Sequence, residues 1–304
     1  MHRLAICATI RDEARDLREW VVFHRLMGVE HFWLYDNFSR DKPEQVLAAE
    51  IAEGVVEIRP WHVPFQSGGQ RRAYQHCLET HRDQTRWLAF FDLDEFLFSP
   101  TGASLPKTLE RFAAHPGVAV NWLGFGSSGR DEREGLLVLE AFTRRAPTRW
   151  IRNHRVKCVV QPARTEHIQS VHGCVYRDGA LAVNGSGAPV RLVYRTRARR
   201  RWRRWLSTVF PSGPFDPRAV WELEPKGVHV EQLVIHHYLT RSRGEFAAKR
   251  ARYEAPRPGL RPVRNRIDAR YFRVHDRNDV EDGTLARFAP QLRAILGLPA
   301  RPER

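Results

Sequence analysis

The first half of the chain alternates between short apolar runs and longer segments with apolar side chains at helical spacing. Five apolar runs predict strands, at residues 4–8, 31–35, 55–58, 87–91 and 118–122. The helical spacing predicts helices, at residues 13–27, 43–53, 70–81 and 105–115. Gly28 and Gly54 follow the first two helices, where glycine commonly ends a helix. This order predicts an α/β fold with a mostly parallel, doubly wound sheet.

The second half has a weaker pattern. Its apolar segments are short and are interrupted by many glycines and prolines. We therefore expect residues 126–290 to form a less regular region of the same domain, and residues 291–304 to form an irregular tail.

Three carboxylates stand where the predicted strand 87–91 ends. Asp92, Asp94 and Glu95 fall within four residues, and apolar residues follow them directly. Such crowding beside an apolar core is costly unless a cation or a proton relieves the repulsion. Carboxylate oxygens suit Mg²⁺ or Mn²⁺, which commonly bridge to substrate phosphates. The cluster therefore predicts a metal–diphosphate site, and a solvated turn between two strands is the alternative.

Other acids occupy equivalent positions in the predicted sheet. Asp12 and Asp36 also follow strands, as the pair Asp92 and Asp94 does. In open α/β sheets, the carboxyl ends of the strands form the edge where ligands bind. Neither the glycine-rich dinucleotide motif nor the P-loop motif is present in the sequence.

Composition indicates a globular protein. Of the 304 residues, 42% are hydrophobic and 28% are charged. No apolar run approaches the length of a membrane-spanning helix, and the apolar core of the first segment is too short for a signal peptide. The four cysteines show no metal-ligand spacing. We therefore expect a cytoplasmic location.

The net charge of +15 favours anionic partners. Only five of the 50 basic residues are lysines. Residues 195–206 combine arginines with two tryptophans, a composition that suits the surface of an anionic membrane. Peripheral membrane association is therefore an expectation, and a solvated surface is the alternative for this segment.

Six motifs in chain order together resemble one family of enzymes. They lie at residues 5–13, 19–41, 92–96, 121–129, 156–158 and 236–249. Their pattern is similar to that of glycosyltransferase family 92 and its bacterial family-2-like relatives, which have the GT-A fold. The resemblance implies a Rossmann-like GT-A sheet, in which residues 1–125 bind the nucleotide-sugar and residues 126–290 bind the acceptor and complete the site.

The resemblance also implies a reaction. It predicts a metal-dependent glycosyltransferase, with Mn²⁺ or Mg²⁺ as cofactor and inversion at the sugar carbon. The donor would be a nucleotide-sugar such as a UDP-sugar, and the acceptor a glycan or a lipid-linked glycan.

Individual residues receive roles from the same resemblance. Donor-binding residues would be Thr9, Arg11, Asp12, Asp36, Asn37, Asp92, Lys157 and Lys249. Metal ligands would be Asp92, Asp94 and His237. The candidates for the general base that accepts the acceptor hydroxyl proton are Asp131 and Glu140. In a strand, His236 and His237 point to opposite faces, so only one of them can reach the cleft; His172 is the next candidate ligand.

Two other classes of function compete with this interpretation. A haloacid-dehalogenase-like phosphohydrolase also places Asp-x-Asp after a buried strand, but that family carries it on the first strand. A basic nucleic-acid-binding protein would explain the charge of +15, but the sequence contains no nucleic-acid-binding motif and nucleic acid is an unlikely partner.

Overall fold

The computed structural model of the chain describes residues 1–196, 219–224, 227–254 and 268–301. The strands, numbered in chain order, are β1 His2–Ile10, β2 His31–Asp36, β3 Val56–Pro60, β4 Thr85–Phe91, β5 Glu95–Phe98, β6 Gly117–Gly124, β7 Arg144–Arg145, β8 Val156–Val160, β9 Thr165–Ser170, β10 Gly173–Tyr176, β11 Ala182–Asn184, β12 Pro189–Thr196, β13 Ala219–Glu224, β14 Val234–His237 and β15 Val280–Glu281. The α-helices are α1 Ala14–Leu26, α2 Pro43–Val46, α3 Ala48–Ala52, α4 Gly69–Thr80, α5 Leu105–Glu110, α6 Val138–Ala141, α7 Arg243–Glu254, α8 Ala269–His275 and α9 Ala289–Leu296.

One large mixed sheet organises these elements. Its strand order is β13-β12-β11-β6-β8-β4-β1-β2-β3, and β14 lies between β5 and β6. Strands β4, β1, β2 and β3 are parallel to one another, as the alternation of strands and helices predicts. The predicted α/β class with a mostly parallel central sheet is therefore confirmed.

The strand β8 is the main departure from a parallel sheet. It runs antiparallel to both of its neighbours, β4 and β6. The sequence predicts no strand here, because the segment is short and lies in the irregular second half. Its position brings residue 157 beside the end of β4.

Two apolar cores cover the two faces of the sheet. Alternate residues of β1 point in opposite directions: Ile6 packs in the core that contains Trp20 of α1, and Cys7 packs in the core that contains Tyr74 of α4. The four cysteines are all free thiols. Helices on both faces agree with the doubly wound arrangement.

Three predicted elements differ from the structure. The helix predicted over 43–53 is divided into α2 and α3, because Leu47 between them departs from helical geometry. The helix predicted over 105–115 ends at Glu110. The irregular tail predicted from residue 291 is wrong for residues 291–296, which belong to α9. That helix buries Leu292 in the core and ends at Gly297, whose φ of 68° suits glycine.

Candidate active site

A cavity of about 310 Å³ opens at the carboxyl ends of β1, β4 and β6. The end of β1 contributes Thr9 and Arg11, and the turn after β4 contributes Asp92 and Asp94. The remaining wall includes side chains that arrive from much later in the chain, among them His237 and Lys249. The structure thus brings ligand-binding residue types to the sheet edge that the sequence predicts.

The buried Lys157 neutralises the first acid of the pair. Its Nζ lies 2.8 Å from Asp92 Oδ2 and 3.4 Å from Glu95 Oε2. Burial opposes ionisation of Asp92, but Lys157 outweighs burial and lowers the pKa of that carboxyl. Gln70 and Tyr74 of α4 also hydrogen-bond Asp92 Oδ1. Asp92 is therefore an ionised carboxylate held from three sides.

The pKa of Glu95 is shifted in the direction opposite to that of its neighbour Asp92. It is fully buried, and burial raises the pKa of its carboxyl well above the usual range. Its Oε2 accepts a hydrogen bond of 2.9 Å from the backbone N–H of Asp92. Lys157 therefore contacts two acids whose pKa values are shifted in opposite directions, and Glu95 fixes the turn that carries both aspartates.

The second acid, Asp94, contacts two residues from the end of the chain. Lys249 Nζ lies 2.6 Å from Oδ2, and His237 Nε2 lies 3.3 Å from Oδ1. Burial opposes ionisation, but Lys249 and His237 lower the pKa of Asp94 well below its usual value. Burial in turn lowers the pKa of His237 and keeps its ring neutral at physiological pH. Asp94 is thus a carboxylate with a cation and an imidazole beside it.

A buried ionic cluster holds the turn between the two aspartates. Arg241 donates 3.2 Å to the carbonyl of Leu93 and also pairs with Asp16 of α1. Arg133, which is buried, pairs with the same Asp16 and lies 3.1 Å from Glu245. These contacts join α1, the acid turn and the start of α7, so the positions of the two aspartates are fixed by residues outside the cavity.

The β1 side of the cavity presents polar atoms that make no hydrogen bond to the described residues, although Arg11 Nε lies 3.9 Å from the carboxylate of Asp12. In the described part of the chain, Thr9 Oγ1 and two guanidinium nitrogens of Arg11 are buried and make no hydrogen bond. Glu13 lines the same side, and burial raises its pKa to about 7. Unpaired buried donors are uncommon in folded proteins, so these groups are suited to a polar ligand.

Four predicted donor-binding residues do not line the cavity, and one of them, Lys157, is buried behind Asp92. Asp12 binds the backbone N–H of Arg40 at 2.8 Å, and Asp36 binds that of Ser39 at 2.9 Å. Asn37 donates to the carbonyls of Trp61 and Val63. These side chains close the loops after β1 and β2, and the donor role predicted for them receives no support from their positions.

The two predicted candidates for the general base also lie outside the cavity. Asp131 is 83% exposed, and its nearest partner is Arg243 at 3.5 Å. Glu140 caps α6 through the N–H of Leu137 and pairs with Arg293 at 2.7 Å. The structure gives Glu140 a role in packing α9 against α6.

The two adjacent histidines face in opposite directions, as the alternation of a strand predicts. His237 lines the cavity. His236 packs between Phe98 and Phe125, with ring centroids 4.8 and 4.4 Å away. His172 also lines the cavity, but its Nδ1 lies 3.0 Å from the carbonyl of Val156.

Within the described ranges, no group of three or more His, Cys, Asp or Glu side chains is arranged to hold a metal ion. The predicted ligands are nevertheless close together, since Asp94 and His237 are in contact and Asp92 lies on the same turn. Lys249 and Lys157 supply the positive charge that these acids require. Asp94 and His237 have the oxygen and nitrogen donors that fit a divalent cation.

Several residues of the site were missed as candidates. Glu13, Arg241 and Arg252 belong to the quoted motifs or follow them closely, but charge alone does not separate a wall residue from a surface residue. Glu95 belongs to the predicted acid cluster; it is the first residue of β5, and apolar residues follow it.

No helix of the described residues is long and apolar enough to cross a membrane. The predicted membrane-binding segment, residues 195–206, lies almost entirely outside the described residues.

The fold and cavity define an α/β protein with a ligand site at the carboxyl edge of its sheet. The sequence model of glycosyltransferase family 92 matches residues 2–178, which is more than half of the chain, so the chain belongs to this family. The family membership predicted from the six motifs is thereby confirmed.

Relatives of the chain include a family 92 protein of Oryza sativa subsp. japonica, 30% identical over 193 residues. That match spans 60% of this chain and 31% of the relative. A galactan β-1,4-galactosyltransferase of Arabidopsis thaliana is 28% identical over 34% of this chain and 22% of its own length. The crystal structure of S. aureus TarS 1-349 in complex with UDP is 11% identical, with a TM-score of 0.35 over 53% of this chain and 47% of that chain. The chain therefore spans less than a third of the length of these two sequence relatives.

Proposed function

We propose that this chain is a glycosyltransferase that moves a sugar from a nucleotide-sugar, in particular a UDP-sugar, to the hydroxyl of a glycan or lipid-linked glycan. The family supports the class of reaction. The observation that carries the proposal is the acid pair Asp92 and Asp94 at the carboxyl edge of the sheet, with Lys249 and Arg252 in the same cavity wall. Such an arrangement suits a diphosphate bound beside a fixed set of charges.

The reaction places a definite demand on these residues. In an inverting transfer, the acceptor oxygen attacks the sugar carbon while the bond from that carbon to the diphosphate breaks. The acceptor hydroxyl proton goes to a base, and negative charge develops on the leaving phosphate. Lys249 and Arg252 would stabilise that charge, and Thr9 and Arg11 would donate to the nucleotide.

A divalent cation belongs to the same proposal. Asp94 and His237 would hold it, with Asp92 beside them, and it would supply Lewis-acid stabilisation of the leaving group. The basis is the contact of 3.3 Å between Asp94 Oδ1 and His237 Nε2 and the neutral state of the histidine.

The base is proposed to be Glu13. It lines the cavity, whereas Asp131 and Glu140 do not. A carboxyl whose pKa is about 7 is close to the value that serves proton transfer at neutral pH.

We also propose a cytoplasmic location. The protein would attach peripherally to the inner face of the membrane through residues 195–206. Its support is the composition of the segment. Flotation with anionic and neutral vesicles at low salt tests it, and protein that stays unbound to both would refute it.

The proposed donor site is tested by thermal shift with UDP, GDP and CDP, each with and without Mn²⁺. UDP should raise the melting temperature most, and Mn²⁺ should increase the effect. Lys249→Met should weaken UDP binding by about tenfold or more, because a charged phosphate contact is lost. The exposed Lys107→Met is the matched control and should bind UDP normally. Absence of a shift with every nucleotide would contradict the donor site.

A further inference from the structure

The side of the cavity at the end of β6 is aromatic, unlike the side formed by Thr9 and Arg11. Its rings are Trp122, Trp150, Tyr271 and His275, which together form an aromatic wall. Tyr271 and His275 are stacked with centroids 3.8 Å apart, and Trp150 meets His275 edge-on at 6.0 Å. These are rigid, partly apolar surfaces that suit the carbon face of a sugar ring.

The backbone fixes the aromatic wall at β6. A Cβ atom added to Gly124 would lie 2.9 Å from Trp150 Cζ3, so the absence of a side chain allows the indole to lie on the strand end. Asn153 Oδ1 accepts 2.9 Å from the N–H of Gly124 and anchors the same segment. In the sheet, β6 lies three strand positions from β1, a separation of about 14 Å. The strand that carries Trp122 and Gly124 is thus a different one from the strand that carries Thr9, and Trp122 lies against His237 with ring centroids 4.3 Å apart.

One donor in this wall lacks an acceptor. Trp122 is 5% exposed, lines the cavity, and its Nε1 makes no hydrogen bond in the described part of the chain. A buried donor without a partner carries a desolvation cost that a ligand oxygen would remove. A sugar hydroxyl is such an oxygen.

Positive charge is concentrated at the same end. Arg152 lines the cavity beside Trp150, with its guanidinium carbon 5.9 Å from the ring centre. It forms no ion pair within the described residues. Lys249, by contrast, pairs with Asp94, and Arg252 donates to the backbone carbonyl of Asp12. Five cationic and three acidic side chains of the described residues line the cavity, so the cavity as a whole has an excess of positive charge.

We infer that the aromatic wall and Arg152 form the acceptor subsite, and that the acceptor sugar there carries an anionic group, either a carboxylate or a phosphate. This inference rests on the proposed transferase function and adds the acceptor class to it. The sugar ring packs on Trp150, a hydroxyl accepts from Trp122 Nε1, and the anion meets the Arg152 fork, whose geometry matches carboxylate and phosphate oxygens.

Saturation-transfer NMR on the intact chain, with UDP at saturating concentration, tests the inference. The probes are two pairs, galacturonic acid with galactose and glucose 6-phosphate with glucose. At low salt, at least one anionic sugar should bind about tenfold more tightly than its neutral counterpart. Arg152→Ala should reduce that ratio to about one, and Arg152→Lys should restore part of it. Arg149→Ala, an exposed arginine three residues earlier, is the matched control and should keep the ratio.

The two pairs of sugars distinguish which anionic group the subsite binds. Preference for galacturonic acid identifies a carboxylate, and preference for glucose 6-phosphate identifies a phosphate. The inference would be overturned by equal affinity within both pairs of sugars, or by a preference that is unchanged in Arg152→Ala. It would also be overturned if inorganic phosphate bound as tightly as the preferred anionic sugar. UDP affinity is measured in the same samples, so failure of the donor site is recorded separately from failure of the acceptor subsite.

Discussion

Replacement of Lys157 by methionine tests the charge arrangement behind the acid pair. The side chain of Lys157 is 1% exposed, and it contacts Asp92 at 2.8 Å and Glu95 at 3.4 Å. Methionine keeps most of the volume and removes the charge. The variant therefore leaves an ionised Asp92 without its main partner.

The expected cost follows from burial. Breaking a fully buried ion pair costs about 3–5 kcal/mol, because the remaining charge is uncompensated. Asp92 is 37% exposed, so hydration of its carboxylate offsets part of this cost. We expect a loss of about 2–3 kcal/mol in the free energy of unfolding. With a urea slope of about 3 kcal/mol/M, the midpoint should fall by about 0.7–1 M.

Urea unfolding followed by circular dichroism measures this change. Lys107→Met, on the exposed face of α5, is the control and should move the midpoint little. The double variant Lys157→Met with Asp92→Asn should recover much of the loss, because no charge is left buried. A midpoint for Lys157→Met equal to that of the control would refute the assignment of Lys157 as the cation for Asp92.

Three further predictions concern the site. Asp94→Ala should abolish transfer and also lower the melting temperature, because the ion pair with Lys249 is lost; near-normal turnover with unchanged Mn²⁺ dependence would exclude Asp94 as a ligand. His237→Ala should raise the Mn²⁺ requirement in a metal titration, whereas His236→Ala should leave it unchanged and lower the melting temperature through loss of packing between Phe98 and Phe125. Glu13, with a pKa of about 7, is neutral below that pH and ionised above it, so activity should rise through about pH 7. Glu13→Gln should remove that acid limb and lower turnover by about 10²-fold or more, and a pH profile with the limb intact would exclude Glu13 as the base.

Local patterns predicted the parallel part of the fold well. Strands β1 to β4 and helix α1 are continuous in sequence, and their apolar periodicity directly reflects the two faces they bury. The sequence did not predict the antiparallel strand β8, because its place in the sheet depends on long-range pairing with β4 and β6. A five-residue segment carries no local signal for that choice.

Some of the predicted site residues line the cavity and others do not, again because the outcome depends on contacts that are distant in sequence. Asp92 and Asp94 follow a strand and Thr9 lies near the end of one, and the carboxyl end of a parallel strand lies at the edge of the sheet where ligands bind. Asn37 and Glu140 look equally suitable in sequence, yet they bond nearby backbone groups. The direction in which a loop side chain turns depends on partners that are distant in sequence, such as Arg293 for Glu140.

The contact between Asp94 and Lys249 has a consequence for synthesis and for shortened chains. The two residues are 155 positions apart, so a ribosome working at 5–20 residues per second makes the lysine roughly 8–30 s after the aspartate. The family match ends at residue 178, before His237, Arg241 and Lys249. A chain ending there would contain the parallel strands and the acids without the late residues that balance Asp94. The site is therefore completed only after the parallel strands have been made, and its charge balance depends on the return of β14 between β5 and β6.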